Sequence, residues 1–127
     1  MTALRRARLY LQYYISEIGS AKLAEDTLGA LEFQIIAVLL EHPREAYGIS
    51  IMQRLEDRTG KRRSLAAIYA TLDRLQQKRL ISSWWGEPTE ERGGRRKRYY
   101  QVEAPGEEAA RRTVLAFQAP LAAGASA

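Results

Sequence analysis

Two short runs of cations stand out in this chain of 127 residues: Lys61-Arg62-Arg63, and Arg95-Arg96-Lys97-Arg98 directly after Gly93-Gly94. Cations fixed in a row do one kind of chemistry, which is to hold a polyanion through its phosphates. Residues 61–100 carry eleven Lys or Arg against four Asp or Glu, whereas the remainder carries nine against eleven. The net charge of +5 is therefore concentrated in one segment, as nucleic-acid binding requires. Other chemistries lack their residues. With no Cys and the single His42, a metal site would need carboxylates alone. Glu56-Asp57 and Glu107-Glu108 are adjacent in sequence and read as solvated helix charge, and His42 reads as a cation helping the terminal carbonyls of a helix. Neither a GxxxxGK[ST] phosphate loop nor a GxSxG elbow is present. No enzymatic activity, metal or cofactor is expected.

The elements that must position these cations are legible around them. In SLAAIYATLDRLQQK, Leu65, Ile68, Tyr69, Leu72 and Leu75 recur at helical spacing, while Ala66, Ala70, Asp73, Arg74 and Gln77 face away. Ser64 suits the N-cap, and Ala66, Ala67 and Ala70 keep the helix slim for approach to a wide, flat surface. ISSWW and RKRYYQV then read as two β-runs joined by the loop GEPTEERGGR. Trp84 and Trp85 must face opposite sides of the first strand, as must Tyr99 and Tyr100 of the second. Upstream, Thr27 is a plausible N-cap for a helix ending at His42-Pro43, with Leu28, Leu31, Ile35, Val38 and Leu39 inward. Tyr47 to Arg58 forms the next helix, ended by Gly60. The expected fold is mainly α with a small β-hairpin, a winged helix-turn-helix with flanking N- and C-terminal helices.

Tyr47-Gly48, IYATLDRL at 68–75, ISSWWG at 81–86 and GGRRKRYYQV at 93–102, in this order and at these distances, resemble the PadR family of bacterial transcriptional regulators. The resemblance covers roughly residues 28–118. Two positions depart from the family pattern: Arg79 stands where Gly is usual, and Ala104-Pro105-Gly106 where the last helix usually starts with Thr-x-x-Gly. The resemblance implies a homodimer on double-stranded DNA at an inverted repeat, with the Tyr of the helix motif, here Tyr69, reaching a backbone phosphate. It also implies control by a ligand such as a small aromatic effector. Family members that bind drugs carry a Trp on the last helix about where this chain has Pro120, so their drug binding does not carry over.

Thr2 to Ile18 reads as a helix with Leu4, Leu11, Ile15 and Ile18 on one stripe, and Gly19 to Asp26 as the break after it. Arg5, Arg6 and Arg8 raise an export signal, but Gln12, Ser16 and Glu17 interrupt the apolar run it would need. No stretch approaches the roughly 20 apolar residues of a membrane span, and a cytoplasmic protein is expected. From Pro105 the chain returns to helix, with Val114, Phe117 and Leu121 apolar, and Pro120 is expected to end it. The division is thus 1–26 and 105–127 for dimerisation, through Leu4, Leu11, Ile15, Ile18, Val114, Phe117 and Leu121, around a DNA-binding domain at 27–104. The DNA-facing residues are Lys61, Arg62, Arg63, Ser64, Ala67, Tyr69, Arg74, Gly94, Arg95, Arg96 and Lys97. Trp84, Trp85 and Phe117 are the aromatic candidates for an effector. The alternative is a winged-helix module that docks protein or RNA without promoter specificity.

Overall fold

The computed structural model describes residues 27–88 and 95–125, with the side chains of the last helix described through Gln118. The order is α1 (Ala30–Glu41), α2 (Gly48–Thr59), α3 (Leu65–Gln77), β1 (Ile81–Trp85), β2 (Arg98–Val102) and α4 (Ala104–Ala125). Two compact units are present: a winged unit, Gly29–Glu107, and a second unit that takes Glu108 onward together with Leu28. The expected helix at Thr2–Ile18, and with it Leu4, Leu11, Ile15 and Ile18, lies outside the described residues, as do Gly94 and the side chain of Leu121.

Local chemistry sets each helix end. The Glu32 carboxylate accepts from the Gly29 N–H at 2.9 Å, so α1 starts at Ala30 and not directly after Thr27. A side chain three residues past the cap that returns to the cap amide outweighs a hydroxyl two residues too early. The Tyr47 N–H likewise donates to Ser50 Oγ at 2.9 Å at the start of α2, and Gly60 closes that helix at φ 70°. Ser64 Oγ accepts from the Ala67 N–H at 3.1 Å, as its place before α3 requires. After α3 the chain turns through Arg79 at φ 61°, with the Leu80 N–H bonded to Leu75 O at 3.0 Å. Arg79 thus holds a left-handed conformation that costs a non-glycine residue about 1–2 kcal/mol, which is why glycine suits this turn.

The core of the winged unit is built from Ile35, Ile36, Val38 and Leu39 of α1, Ile51 and Leu55 of α2, Ile68, Leu72 and Leu75 of α3, and Ile81 and Tyr100 of the strands. β1 and β2 pair antiparallel, from Ile81 opposite Val102 to Trp85 opposite Arg98. The hairpin is fastened to the helices by the Tyr100 N–H, which donates to Ala46 O at 3.0 Å, and by the Glu103 N–H on Leu80 O at 2.9 Å. Gly106 lies so close to Leu80 that an added Cβ would come within 2.1 Å of its carbonyl oxygen. The glycine of Ala104-Pro105-Gly106 is therefore required by packing at the start of α4.

In the second unit the Leu28 N–H donates to Thr113 Oγ1 at 2.9 Å, and Thr113 in turn donates to Ala109 O at 2.8 Å. α4 runs on to Ala125, so Pro120 does not end it as expected. A proline removes one intrahelical bond, and the strong helix formers around it, Ala119, Leu121, Ala122 and Ala123, carry the backbone past. Among the described residues no helix is long and apolar enough to cross a membrane.

One ion pair joins the two ends of the winged unit's helical layer. Lys78, just past α3, pairs with Glu32 at 3.0 Å, where the Glu32 side chain is only 12% exposed. Burial pulls the Glu32 carboxyl up, but the Gly29 amide, Lys78 and Arg74 together outweigh it and hold the group below its ordinary range. A depressed carboxyl stabilises the fold above its unfolded titration range and loses that contribution as pH falls through the folded value. Glu32→Ala is expected to lower the unfolding free energy by about 1 kcal/mol near pH 7. Urea titrations should show that difference shrinking as pH falls below the ordinary carboxylate range.

Candidate nucleic-acid interface

Gly48 and Tyr69 set the geometry of the site. Tyr69 projects from the middle of α3 against the first residue of α2, so that a Cβ on Gly48 would lie 2.3 Å from the Tyr69 hydroxyl oxygen. No side chain but hydrogen fits there. The contact lays the phenol across the start of α2 while leaving it 41% exposed, with its hydroxyl at the rim of an open cleft. That cleft, of about 360 Å³, runs between α3 and the wing. Tyr69 and Asp73 line it from α3, Gly48 and Ile49 from α2, and Trp85, Arg96, Lys97 and Arg98 from the wing.

Aromatic rings fix the wing cations at its edge. Lys97 Nζ stands 4.4 Å from the centroid of Tyr47, whose ring meets Tyr99 edge-on at 5.8 Å. Tyr99 stacks on Trp84 at 5.7 Å, and the Arg44 guanidinium covers Trp84 at 5.8 Å. On the other face of the hairpin, Arg98 lies 5.4 Å from Trp85 and 6.0 Å from Tyr100. Such contacts hold a cation in place without neutralising it. Tyr100 is 3% exposed, and burial pushes its phenol up against the pull of Arg98, so it stays neutral beneath the cleft.

The cleft brings Tyr69, Arg96 and Lys97 together, with Arg95 exposed beside them. Lys61 and Arg62 are exposed and Arg63 half-buried in the segment leading into α3, while Ser64 and Ala67 share the capped first turn of that helix. Arg74 lies apart from the cleft: its guanidinium donates to Thr71 Oγ1 at 3.1 Å, and its charge acts on Glu32. The two tryptophans separate as strand alternation requires. Trp84 is packed on Tyr99, whereas Trp85 is 59% exposed and stands in the same cleft as Tyr69. Phe117 belongs to the second unit and is 77% exposed, with Val114 at 39%.

Gly48, Asp73 and Arg98 line the cleft as well, although the DNA-facing set expected from the sequence does not include them. Arg98 is visible as the last of the cationic run, but its place in β2 opposite Trp85 follows from the strand register. Asp73, the only carboxylate among the described lining residues, lies four positions after Tyr69, so helical spacing alone puts it beside that ring. Gly48 is legible in the sequence as part of the Tyr47-Gly48 pair that carries the family resemblance, but its contact with Tyr69 is not. Among the described residues there is no group of three or more His, Cys, Asp or Glu that could hold a metal.

Comparison with known proteins gives the same assignment. The sequence profile of the transcriptional regulator PadR-like family matches residues 35–112. An uncharacterized protein of Lysinibacillus sphaericus is 34% identical over 80 residues, which span 61% of this chain and 69% of that one. The X-ray structure of a PadR-like transcription factor from Bacteroides fragilis superimposes with a TM-score of 0.63 at 25% identity, covering 76% of this chain and 87% of the other. The complex structure of hsRosR-S4 matches with a TM-score of 0.54 at 27% identity, over 75% and 72% of the two chains. The chain therefore belongs to the PadR-like family of transcriptional regulators, which are DNA-binding proteins and not enzymes.

Proposed function

We propose that this chain is a cytoplasmic repressor that sits as a homodimer on an inverted repeat and blocks transcription by occupying the promoter. The observation that carries the reading is the cleft in which Tyr69 of α3 and Arg96 and Lys97 of the wing face one volume. A DNA backbone running between recognition helix and wing would meet all three. The first turn of α3, with Lys61, Arg62, Arg63, Ser64 and Ala67, enters the major groove, and Arg95 and Arg96 reach the flanking phosphates or minor groove. Arg74 contributes only at the margin, because Thr71 already engages its guanidinium. Of the rings considered for an effector, Trp84 is spent on Tyr99 and Trp85 shares the DNA-facing cleft, so this reading gives Trp85 to DNA.

Replacing Arg95 and Arg96 together by Ala is expected to weaken binding to all duplexes alike. The slope of log affinity against log salt should flatten by roughly one for each lost phosphate contact. Binding curves at several salt concentrations check this, and an unchanged slope would remove the wing from the interface. Tyr69→Phe keeps the ring against Gly48 but removes the hydroxyl. Affinity should fall by about 1.5–3 kcal/mol, the magnitude of a hydrogen bond to a charged group, with the melting temperature held. Equal affinity would leave Tyr69 a packing residue only.

Dimerisation is supported by the apolar side chains that α4 leaves open, Val114 and Phe117. A two-fold pairing covers the same stripe on both copies and sets the two recognition helices about 34 Å apart, as an inverted repeat requires. Phe117→Asp is expected to shift the full chain toward monomer in sedimentation and to cost far more affinity for a palindrome than for a half-site. A variant that remained dimeric would move the contact elsewhere.

A further inference from the structure

The cations of this protein are held in two different ways. Arg58 is paired with Glu41, Lys78 with Glu32 and Arg111 with Glu108, so each has spent much of its charge on a carboxylate. Arg98 is fixed instead by a neutral oxygen. Its Nε and Nη2 both donate to Ser83 Oγ, at 3.0 and 2.8 Å, while its guanidinium rests near the rings of Trp85 and Tyr100. A guanidinium has five N–H donors, so most of them stay available, and among the described residues no carboxylate pairs with its charge. The same Ser83 oxygen accepts from Gln76 Nε2 at 2.9 Å, at the end of the recognition helix. One hydroxyl thus ties α3, β1 and β2 together through Arg98, which lines the cleft.

We propose that Ser83 is a positioning residue for DNA binding: it aims the uncompensated charge of Arg98 into the cleft and locks the wing to the recognition helix before DNA arrives. The proposal rests on the reading of that cleft as DNA-facing. Hydroxyl chemistry fits the task better than the alternatives. A carboxylate at position 83 would hold Arg98 more tightly but cancel its charge, and an apolar side chain would leave the guanidinium free to swing among its rotamers. Asp73, across the cleft, supplies the opposing negative charge against which a misplaced Arg98 could collapse.

The test uses the full chain and a labelled random-sequence duplex of about 30 base pairs at low salt, where phosphate contacts dominate binding. Ser83→Ala and Arg98→Ala should each weaken binding by about tenfold. The double variant should be no weaker than Arg98→Ala alone, and Ser83→Thr, which keeps the hydroxyl and suits a strand, should restore binding to within about twofold. Losses that multiply in the double variant, or an Arg98→Ala protein that binds like the parent, would overturn the proposal. If the parent chain fails to bind the duplex, the DNA-facing reading of the cleft fails, and a second measurement still decides the role of Ser83. With Trp84→Phe in place, the emission of Trp85 in the free protein should shift alike on Ser83→Ala and Arg98→Ala. Emission that responds to Arg98→Ala but not to Ser83→Ala would show that Ser83 does not place that side chain.

Discussion

A two-stranded hairpin has little stability of its own in water, so the position of every wing cation depends on how the hairpin is fastened to the helices. Here the fastening is Tyr100. Its amide bonds Ala46 O, which makes the segment before α2 a short third partner of the hairpin, and its ring is buried among the helices. Tyr47, the next residue, pairs with Tyr99 from the same segment. The turn between α1 and α2 therefore does two jobs: it starts the helix on which α3 packs, and it holds the strand that carries the cations.

This arrangement sets a charged rim on a buried apolar core. Ile51, Ile68, Leu72 and Tyr100 are all buried in the winged unit, and each large apolar side chain contributes about 1.5–3 kcal/mol of transfer free energy. At the rim the cations are steadied by rings and by hydroxyls rather than by carboxylates, as for Lys97 over Tyr47 and Arg98 on Ser83. A surface built this way keeps its field for a polyanion, whereas an ion-paired surface would have to break its pairs first. Among the described residues the carboxylate pairs occur away from the cleft, where they brace helices, as Glu32 and Lys78 do.

The departures from the family pattern have unequal consequences. Arg79 takes the left-handed turn that glycine would take freely, and the turn survives because bonds from Leu80 to Leu75 and from Arg79 to Gln76 hold it. At the start of α4 the one position that packing cannot spare, Gly106, is kept. Pro120 alters a bond within α4 but leaves the helix intact.

The sequence by itself determined the order of elements, the helix ends at Ser64 and Gly60, the two strands and the basic segment, because each rests on chemistry within a few residues: a cap, a left-handed glycine, an alternation, a run of charge. It also determined that Trp84 and Trp85 face apart. Tertiary structure alone decided what each side chain meets. Strand alternation cannot tell which tryptophan packs on Tyr99 and which stands in the cleft beside Tyr69, and a helical wheel shows Arg74 as outward without showing Thr71 and Glu32 within its reach. The contacts that make Gly48 and Gly106 indispensable do not show in the sequence, because they are set by Tyr69 and by the Leu80 carbonyl, 21 and 26 residues away in the chain. Non-local packing chooses such partners, and a single chain read in order carries no record of that choice.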